Sequence, residues 1–297
     1  EILNVGDGLK AYGHWLDQDR VLVWAESDTH DRVGVLSLPD LHLRWLVDDP
    51  RRSVDAALPG HDGRSVALMD FRDGALQASV LTLADGGETP LRSDAGSLLP
   101  VEQLPGGAWI AELYSSHGPH DFIRLDPQSG RLDVLSRTRD HLPDPAMAFT
   151  AAKPYRWRST DGMEIAGWLY EPVGESRGLL AHVHGGPTWH SEDWVNSYIQ
   201  FLVAAGFTVL DPNYRGSTGY GRAFREAIKE DGWGGREQAD IRSGLESLVV
   251  AGKGRPGRVG VVGLSYGGYS AWCAITKAAD LVKAVVPICG MYQLTED

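Results

Sequence analysis

A chain of 297 residues is long enough for two domains, and 42% hydrophobic residues with 36 glycines and 16 prolines describe a folded, turn-rich protein rather than a disordered one. A formal charge of −12 argues against a nucleic-acid partner, because phosphate contacts need a basic surface. With no apolar run of about 18 residues, no membrane-spanning helix is expected and no membrane partner is implied.

Residues 1–145 read as short strands separated by turn signals. They repeat: Asp17-Gln18-Asp19-Arg20 leads into a strand over 21–27, His61-Asp62-Gly63-Arg64 into one over 65–71, and Leu104-Pro105-Gly106-Gly107 into one over 108–114. A second strand follows in each repeat (32–38, 76–83, 121–126), then a third (43–49, 89–94, 132–138). The period is about 44 residues, in the range of four-stranded propeller blades. A blade cannot cover both its faces alone, so neighbours must stack. Three blades do not close a ring, which takes at least about four. An ordinary β-sandwich with even spacing is the alternative.

The stretch 140–154, with Pro143, Pro145 and Pro154 and no periodicity, reads as a linker. Beyond it strands alternate with helical segments, the pattern of a largely parallel, doubly wound sheet covered on both faces. A hairpin over 155–172 turns at Asp161-Gly162. Strands follow over 177–186, 207–216, 258–265 and 282–290, and helices over 194–206, 239–252 and 266–279. Cys273 and Cys289 make no disulfide framework, and each sits in an apolar run as a small core residue. This favours a reducing, cytoplasmic setting.

Gly263-Leu264-Ser265-Tyr266-Gly267 fits the Gly-x-Ser-x-Gly turn. The pentapeptide alone is weak, but Val259, Val261 and Val262 run straight into it and a helix follows directly. Such a turn lifts Ser265 onto strained backbone with positive φ, while Gly263 and Gly267 let strand and helix approach. No Lys follows the glycines, as a phosphate-binding loop would require. Ser265 is therefore the candidate nucleophile. The Tyr266 amide, at the mouth of the following helix, is one candidate oxyanion donor. The second donor is expected from His184-Gly185-Gly186-Pro187, where Gly185 and Gly186 leave the backbone unshielded. His184 itself precedes the serine and is not expected to be the catalytic base; His182 and His190 read as structural or cleft-lining. The loop 213–221 is a third glycine-rich segment on the same sheet edge, where Tyr214 and Arg215 are expected to brace the loop, with Asp211 a plausible partner of Arg215. Asp240 reads as a charge in the first turn of its helix.

HGGP (184–187), NYRGSTGYG (213–221) and GLSYGGYS (263–270), at these separations, closely resemble the prolyl oligopeptidase family of serine peptidases, most of all its acylaminoacyl-peptidase branch. The resemblance implies an α/β-hydrolase domain over 146–297, incomplete at its C-terminal end, preceded over 1–145 by the C-terminal blades of a β-propeller. It implies Ser265 as nucleophile, Gly186 and Tyr266 as oxyanion donors, no metal or organic cofactor, and a short peptide or acyl-peptide as substrate. A homo-oligomer is left open.

The chain departs from the family pattern in one respect. The family's Asp and His lie in loops after two further strands, yet only 32 residues follow Ser265, none of them histidine. Glu1 is not an initiator Met, and 293–297 carry no closing element. The chain is expected to be the middle of a longer polypeptide, with the triad Asp and His beyond residue 297 and little turnover by these residues alone. A carboxylesterase of the same fold and a non-catalytic, propeller-bearing pseudoenzyme are the alternatives. The repeats favour the peptidase over the first, and an intact serine turn disfavours the second. Glu102 and Gln103 are weak candidates to meet a substrate N-terminus.

Overall fold

The computed structural model describes residues 10–27, 29–72, 74–91 and 96–292. The chain divides into two compact units, Glu1–Met147 and Ala148–Asp297.

The first unit consists of four-stranded antiparallel sheets. The first sheet holds β1 (Ala11–Trp15), β2 (Arg20–Glu26), β3 (Asp31–Ser37) and β4 (His42–Val47). The second holds β5 (Val54–Pro59), β6 (Ser65–Arg72), β7 (Ala75–Thr82) and β8 (Glu88–Pro90), and the third β9 (Ser97–Gln103), β10 (Trp109–Ser115), β11 (Gly118–Leu125) and β12 (Leu132–Val134). In every sheet the strands pair in chain order, the arrangement of propeller blades. Each repeat therefore has a strand ahead of the three expected from its sequence, and the recurring turn motifs are the hairpins joining it to the next. β9 is hard to read because Pro100 interrupts it; Pro100 lies at a register shift, where Ile110 faces Glu102 and Ala111 faces Pro100, and a bulge tolerates a missing N–H. Positions 92–94 of one expected third strand lie outside the described residues.

Strand alternation explains why the blades stack. On β6, Val66 and Leu68 join a core with Leu22, Trp24 and Val33 of the first blade. The intervening Ala67 joins another with Leu98, Trp109 and Ile123 of the third. The middle blade thus buries both faces, with successive side chains pointing opposite ways. Polar bonds pin the stack: Trp24 Nε1 donates to the Val54 carbonyl at 2.9 Å. Gln103 is buried between blades, its Oε1 3.4 Å from both the Asp62 N–H and Ser65 Oγ, whereas Glu102 is exposed.

The second unit is a six-stranded sheet in the order β13-β14-β16-β15-β17-β18. Its strands are β13 (Lys153–Arg158), β14 (Glu164–Tyr170), β15 (Leu179–Val183), β16 (Thr208–Asn213), β17 (Val259–Leu264) and β18 (Ala284–Ile288). The first two form the antiparallel hairpin turning at 159–163, and the last four are mutually parallel. Pro154 is accommodated because β13 is an edge strand. The helices are α1 (Ser197–Ala204), the short α2 (Arg222–Glu226), α3 (Arg236–Val250) and α4 (Tyr266–Lys277). The Asn196 side chain caps α1 by accepting from the Tyr198 and Ile199 amides, satisfying N–H groups that have no intrahelical acceptor. Val209 packs with Ile199 and Val203 of α1, while the adjacent Leu210 packs with Ile241 and Leu245 of α3. Helices therefore cover both faces. Among the described residues no helix is long and apolar enough to cross a membrane.

Two further expectations are corrected. Cys273 is buried but Cys289 is exposed, because it lies just past β18 in a left-handed turn (φ 48°) rather than within the strand. Asp240 is not in the first turn of its helix, since α3 begins at Arg236.

Candidate active site

Parallel strands deliver their loops to one sheet edge, the usual place for a ligand in an open α/β sheet. Residues after β15, β16 and β17 meet there. Ser265 separates β17 from α4 with φ 56° and ψ −116°, a region that non-glycine residues seldom occupy. Its N–H donates to the Ile288 carbonyl at 2.9 Å, and the residue is exposed. The turn is possible only with glycines around it. A Cβ on Gly267 would lie 1.9 Å from the Val183 oxygen, and one on Gly263 would lie 2.4 Å from the Gly267 carbonyl carbon. Gly268 and Gly290 touch in the same way, a Cβ on Gly268 falling 2.6 Å from Gly290 Cα.

The loop after β15 comes against this turn. A Cβ on Gly185 would approach the Leu264 oxygen at 3.0 Å and Ser265 Cβ at 3.3 Å, so Gly185 lies beside the serine. Gly186 follows with φ 119°, open to glycine alone. On the other side Tyr266 begins α4, where the first-turn amides have no intrahelical acceptor and the helix dipole favours negative charge. Ser265, Gly185, Gly186 and Tyr266 are thus brought together.

Behind them is a buried polar and aromatic layer. His184 is 6% exposed; its Nδ1 lies 2.8 Å from the Gly185 oxygen and its Nε2 3.0 Å from Ser217 Oγ. Burial pushes its pKa down to about 4, so the ring is neutral. It stacks on Tyr214 with centroids 4.4 Å apart, and the Tyr214 hydroxyl donates to the His184 carbonyl at 3.0 Å. Arg215 is wholly buried. Its Nε and NH2 bind the two Asp240 oxygens at 2.9 and 2.7 Å, its own N–H donates to Asp240 Oδ2 at 2.9 Å, and NH1 reaches Asp161 at 2.7 Å. Burial opposes the charge, but the bonds to Asp240 and then Asp161 hold the guanidinium above its ordinary pKa. The Arg215 bond to Asp161, helped by Arg236, lowers that carboxyl to about 2.

Arg215 therefore braces the loop, but through Asp240 and Asp161; the expected partner, Asp211, instead lies 3.1 Å from His182 Nδ1. His190 is held by Thr218 and Glu192 at 2.6 and 3.2 Å. His182, His184 and His190 are the only histidines after residue 147 in the sequence, and their hydrogen bonds run to Asp211, to Gly185 and Ser217, and to Thr218 and Glu192, none to the Ser265 hydroxyl. Sequence reasoning missed Asp161, Ser217 and Glu237. Glu237 is buried and accepts from the Tyr266 hydroxyl at 2.8 Å. Among the described residues no group of three or more His, Cys, Asp or Glu is arranged to hold a metal ion.

A serine on a strand–turn–helix edge, in a sheet of this order preceded by blade-like sheets, defines an α/β-hydrolase carrying propeller blades. Residues 193–297 match the prolyl oligopeptidase family. The chain is 28% identical over 197 residues to dipeptidyl aminopeptidase BIII of Pseudoxanthomonas mexicana, covering 63% of this chain and 28% of that protein. In fold it is similar to a puromycin-hydrolyzing peptidase of Mycobacterium tuberculosis (TM-score 0.79, 23% identity, 95% of this chain and 46% of that one). It is likewise similar to the Pyrococcus horikoshii acylaminoacyl peptidase (TM-score 0.78, 23% identity, 93% and 44%). That family match falls within the hydrolase unit. The chain spans less than half the length of each of these three proteins.

Proposed function

We propose that the protein is a serine peptidase acting on short or N-acylated peptides, with Ser265 as nucleophile. The observation that carries this is the strained, exposed Ser265 at φ 56°, flanked by Gly185 and by the start of α4. Attack of Ser265 Oγ on a peptide carbonyl forms a C–O bond and moves the carbonyl π electrons onto oxygen. The amides of Gly186 and Tyr266 receive that charge. Collapse expels the amine and leaves an ester on Ser265, which water then cleaves. A histidine takes the hydroxyl proton and returns it to the leaving amine, held in its tautomer by an aspartate. We place the histidine beyond residue 297, because none of the three histidines after residue 147 hydrogen-bonds the Ser265 hydroxyl, and we place the aspartate that would orient it there too. The substrate class follows the acylaminoacyl and dipeptidyl peptidases to which the chain is similar.

The test is a full-length protein challenged with a fluorophosphonate, a blocked aminoacyl anilide and a p-nitrophenyl ester. Labelling confined to Ser265 and turnover of the anilide are expected. Hydrolysis of the ester alone would make it an esterase, and labelling unaffected by Ser265→Ala would remove Ser265 from the chemistry.

A further inference from the structure

Glu237 lies beneath the serine turn and has no part in the reaction outlined above. It is the second residue of α3 and is 0% exposed, although a carboxylate in a first helical turn ordinarily helps the helix from the surface. Its Oε1 accepts three bonds: from the Tyr266 hydroxyl at 2.8 Å, the Gly234 N–H at 2.5 Å and Gln238 Nε2 at 3.1 Å. Its Oε2 is buried with no hydrogen-bond partner. Leaving such an oxygen unpartnered is unfavourable, and capping alone does not call for it, since the bond to Gly234 could form at the surface. The contact that requires burial is the one to Tyr266, on a different helix.

Tyr266 is placed to matter, because its own amide is the second proposed oxyanion donor. Its ring is 2% exposed and stacks on Tyr214 with centroids 6.0 Å apart. Tyr214 in turn stacks on His184 and holds the carbonyl that leads into Gly185 and Gly186. A continuous line of rings therefore joins the two donor segments, and Glu237 ties down its far end. Trp233 and Tyr269 close around Tyr266 at 5.8 and 5.4 Å. Gly234 is fixed as glycine, since φ is 81° and a Cβ would meet the Tyr269 hydroxyl at 2.4 Å.

We propose that Glu237 is a positioning residue for the oxyanion hole. By anchoring the Tyr266 hydroxyl it fixes the start of α4 against the His184–Tyr214 stack, and so sets the separation between the Tyr266 and Gly186 amides. The proposal rests on the serine-acylation reading above.

The experiment compares an acyl ester with its thionoester in the full-length protein. Sulfur is larger and a weaker acceptor than oxygen, so the oxo/thiono rate ratio reports on the fit of the donors. Tyr266→Phe and Glu237→Ala are each expected to lower oxoester kcat about 10- to 100-fold, with KM and the thionoester rate nearly unchanged. The double variant should be no worse than either single one, as coupled residues require. Glu237→Gln can keep its oxygen at the Oε1 position and should restore the ratio to near that of the wild type. A ratio unchanged in both Tyr266→Phe and Glu237→Ala overturns the proposal, even if rates fall, because loss of folded enzyme scales both substrates alike. If Glu237→Ala does not fold, Tyr266→Phe decides by the same criterion. Turnover retained by Ser265→Ala would overturn the serine reading and this proposal with it. An unchanged ratio beside an inert Ser265→Ala overturns only the role of Glu237.

Discussion

In the blade unit consecutive strands pair with one another, whereas in the hydrolase unit β15, β16 and β17 are neighbours only after helical crossovers. The two units also differ in how many polar groups they bury. In the blades a hairpin fixes each register locally, and the buried charge of Asp70 on β6 is settled with Arg52, just ahead of β5. At the hydrolase edge Arg215, Ser217, Glu237 and Asp240 are all 0% exposed, and they join segments far apart in the chain. Buried polar groups are costly unless paired. Their concentration at the edge carrying Ser265 shows where geometry, rather than burial alone, has to be specified.

The largest expected contrast is chemical. Ser265→Ala should lower kcat of the full-length enzyme by about 10⁶-fold, the scale on which removing a serine nucleophile acts, while leaving the melting of both units unchanged. Next comes the Arg215 site. Asp240→Ala leaves the guanidinium with Asp161 alone and should destabilise the hydrolase unit by about 3–5 kcal/mol, a large share of a domain's roughly 5–15 kcal/mol. Peptide-resolved hydrogen exchange is the measurement, with faster exchange expected over 148–292 and no change over 10–91.

That second prediction concerns residues that local sequence could not identify, and the reason is general. β15, β16 and β17 are legible as apolar runs ending in glycine motifs, and Ser265 is legible because strand, turn and helix adjoin. Those are local patterns. Asp161 binds Arg215 across 54 positions and Glu237 binds Tyr266 across 29, and in sequence both resemble surface charges at a turn and a helix start. Their role follows from which loops the sheet order brings together. The missed β1, β5 and β9 have another cause. These strands have mixed patterning, with Gly13 in β1 and Pro100 in β9, so propensity argues against strands that blade pairing nonetheless holds.

A pH experiment sharpens the comparison further. Burial holds His184 at about 4 against an ordinary 6.5, so between those values the unfolded chain binds a proton that the folded chain does not. The stabilisation is complete above pH about 6.5 and is lost as pH falls toward 4, by up to about 3 kcal/mol. Urea unfolding followed by hydrogen exchange should show the hydrolase unit weakening across that window. His184→Gln should flatten the dependence; a slope unchanged in this variant would assign it to other groups.

The smallest effect is the most telling, because it applies the same swap to both units. In the blades Arg52 Nε and NH1 bind Asp70 at 3.0 Å and Glu88 at 2.9 Å, and Glu88 also accepts from Ser79 Oγ at 2.5 Å. Removing Arg52 alone strands the buried Asp70 carboxylate, with Arg72 still 3.6 Å away, at a cost of about 1–3 kcal/mol. Replacing both partners, Arg52→Met with Asp70→Leu, removes the charges together, and Glu88, a third exposed, retains Ser79 and water. Such replacements are often neutral or stabilising, so the expected change in urea midpoint is close to zero. Arg215→Met with Asp240→Leu should not behave alike, because Asp240 also accepts the backbone N–H of residue 215, which no apolar side chain can satisfy. A neutral result in the blades beside a destabilised, slowly acylated hydrolase would show that only the second pair holds backbone in place. Equal costs in the two units would mean that both pairs serve folding alone.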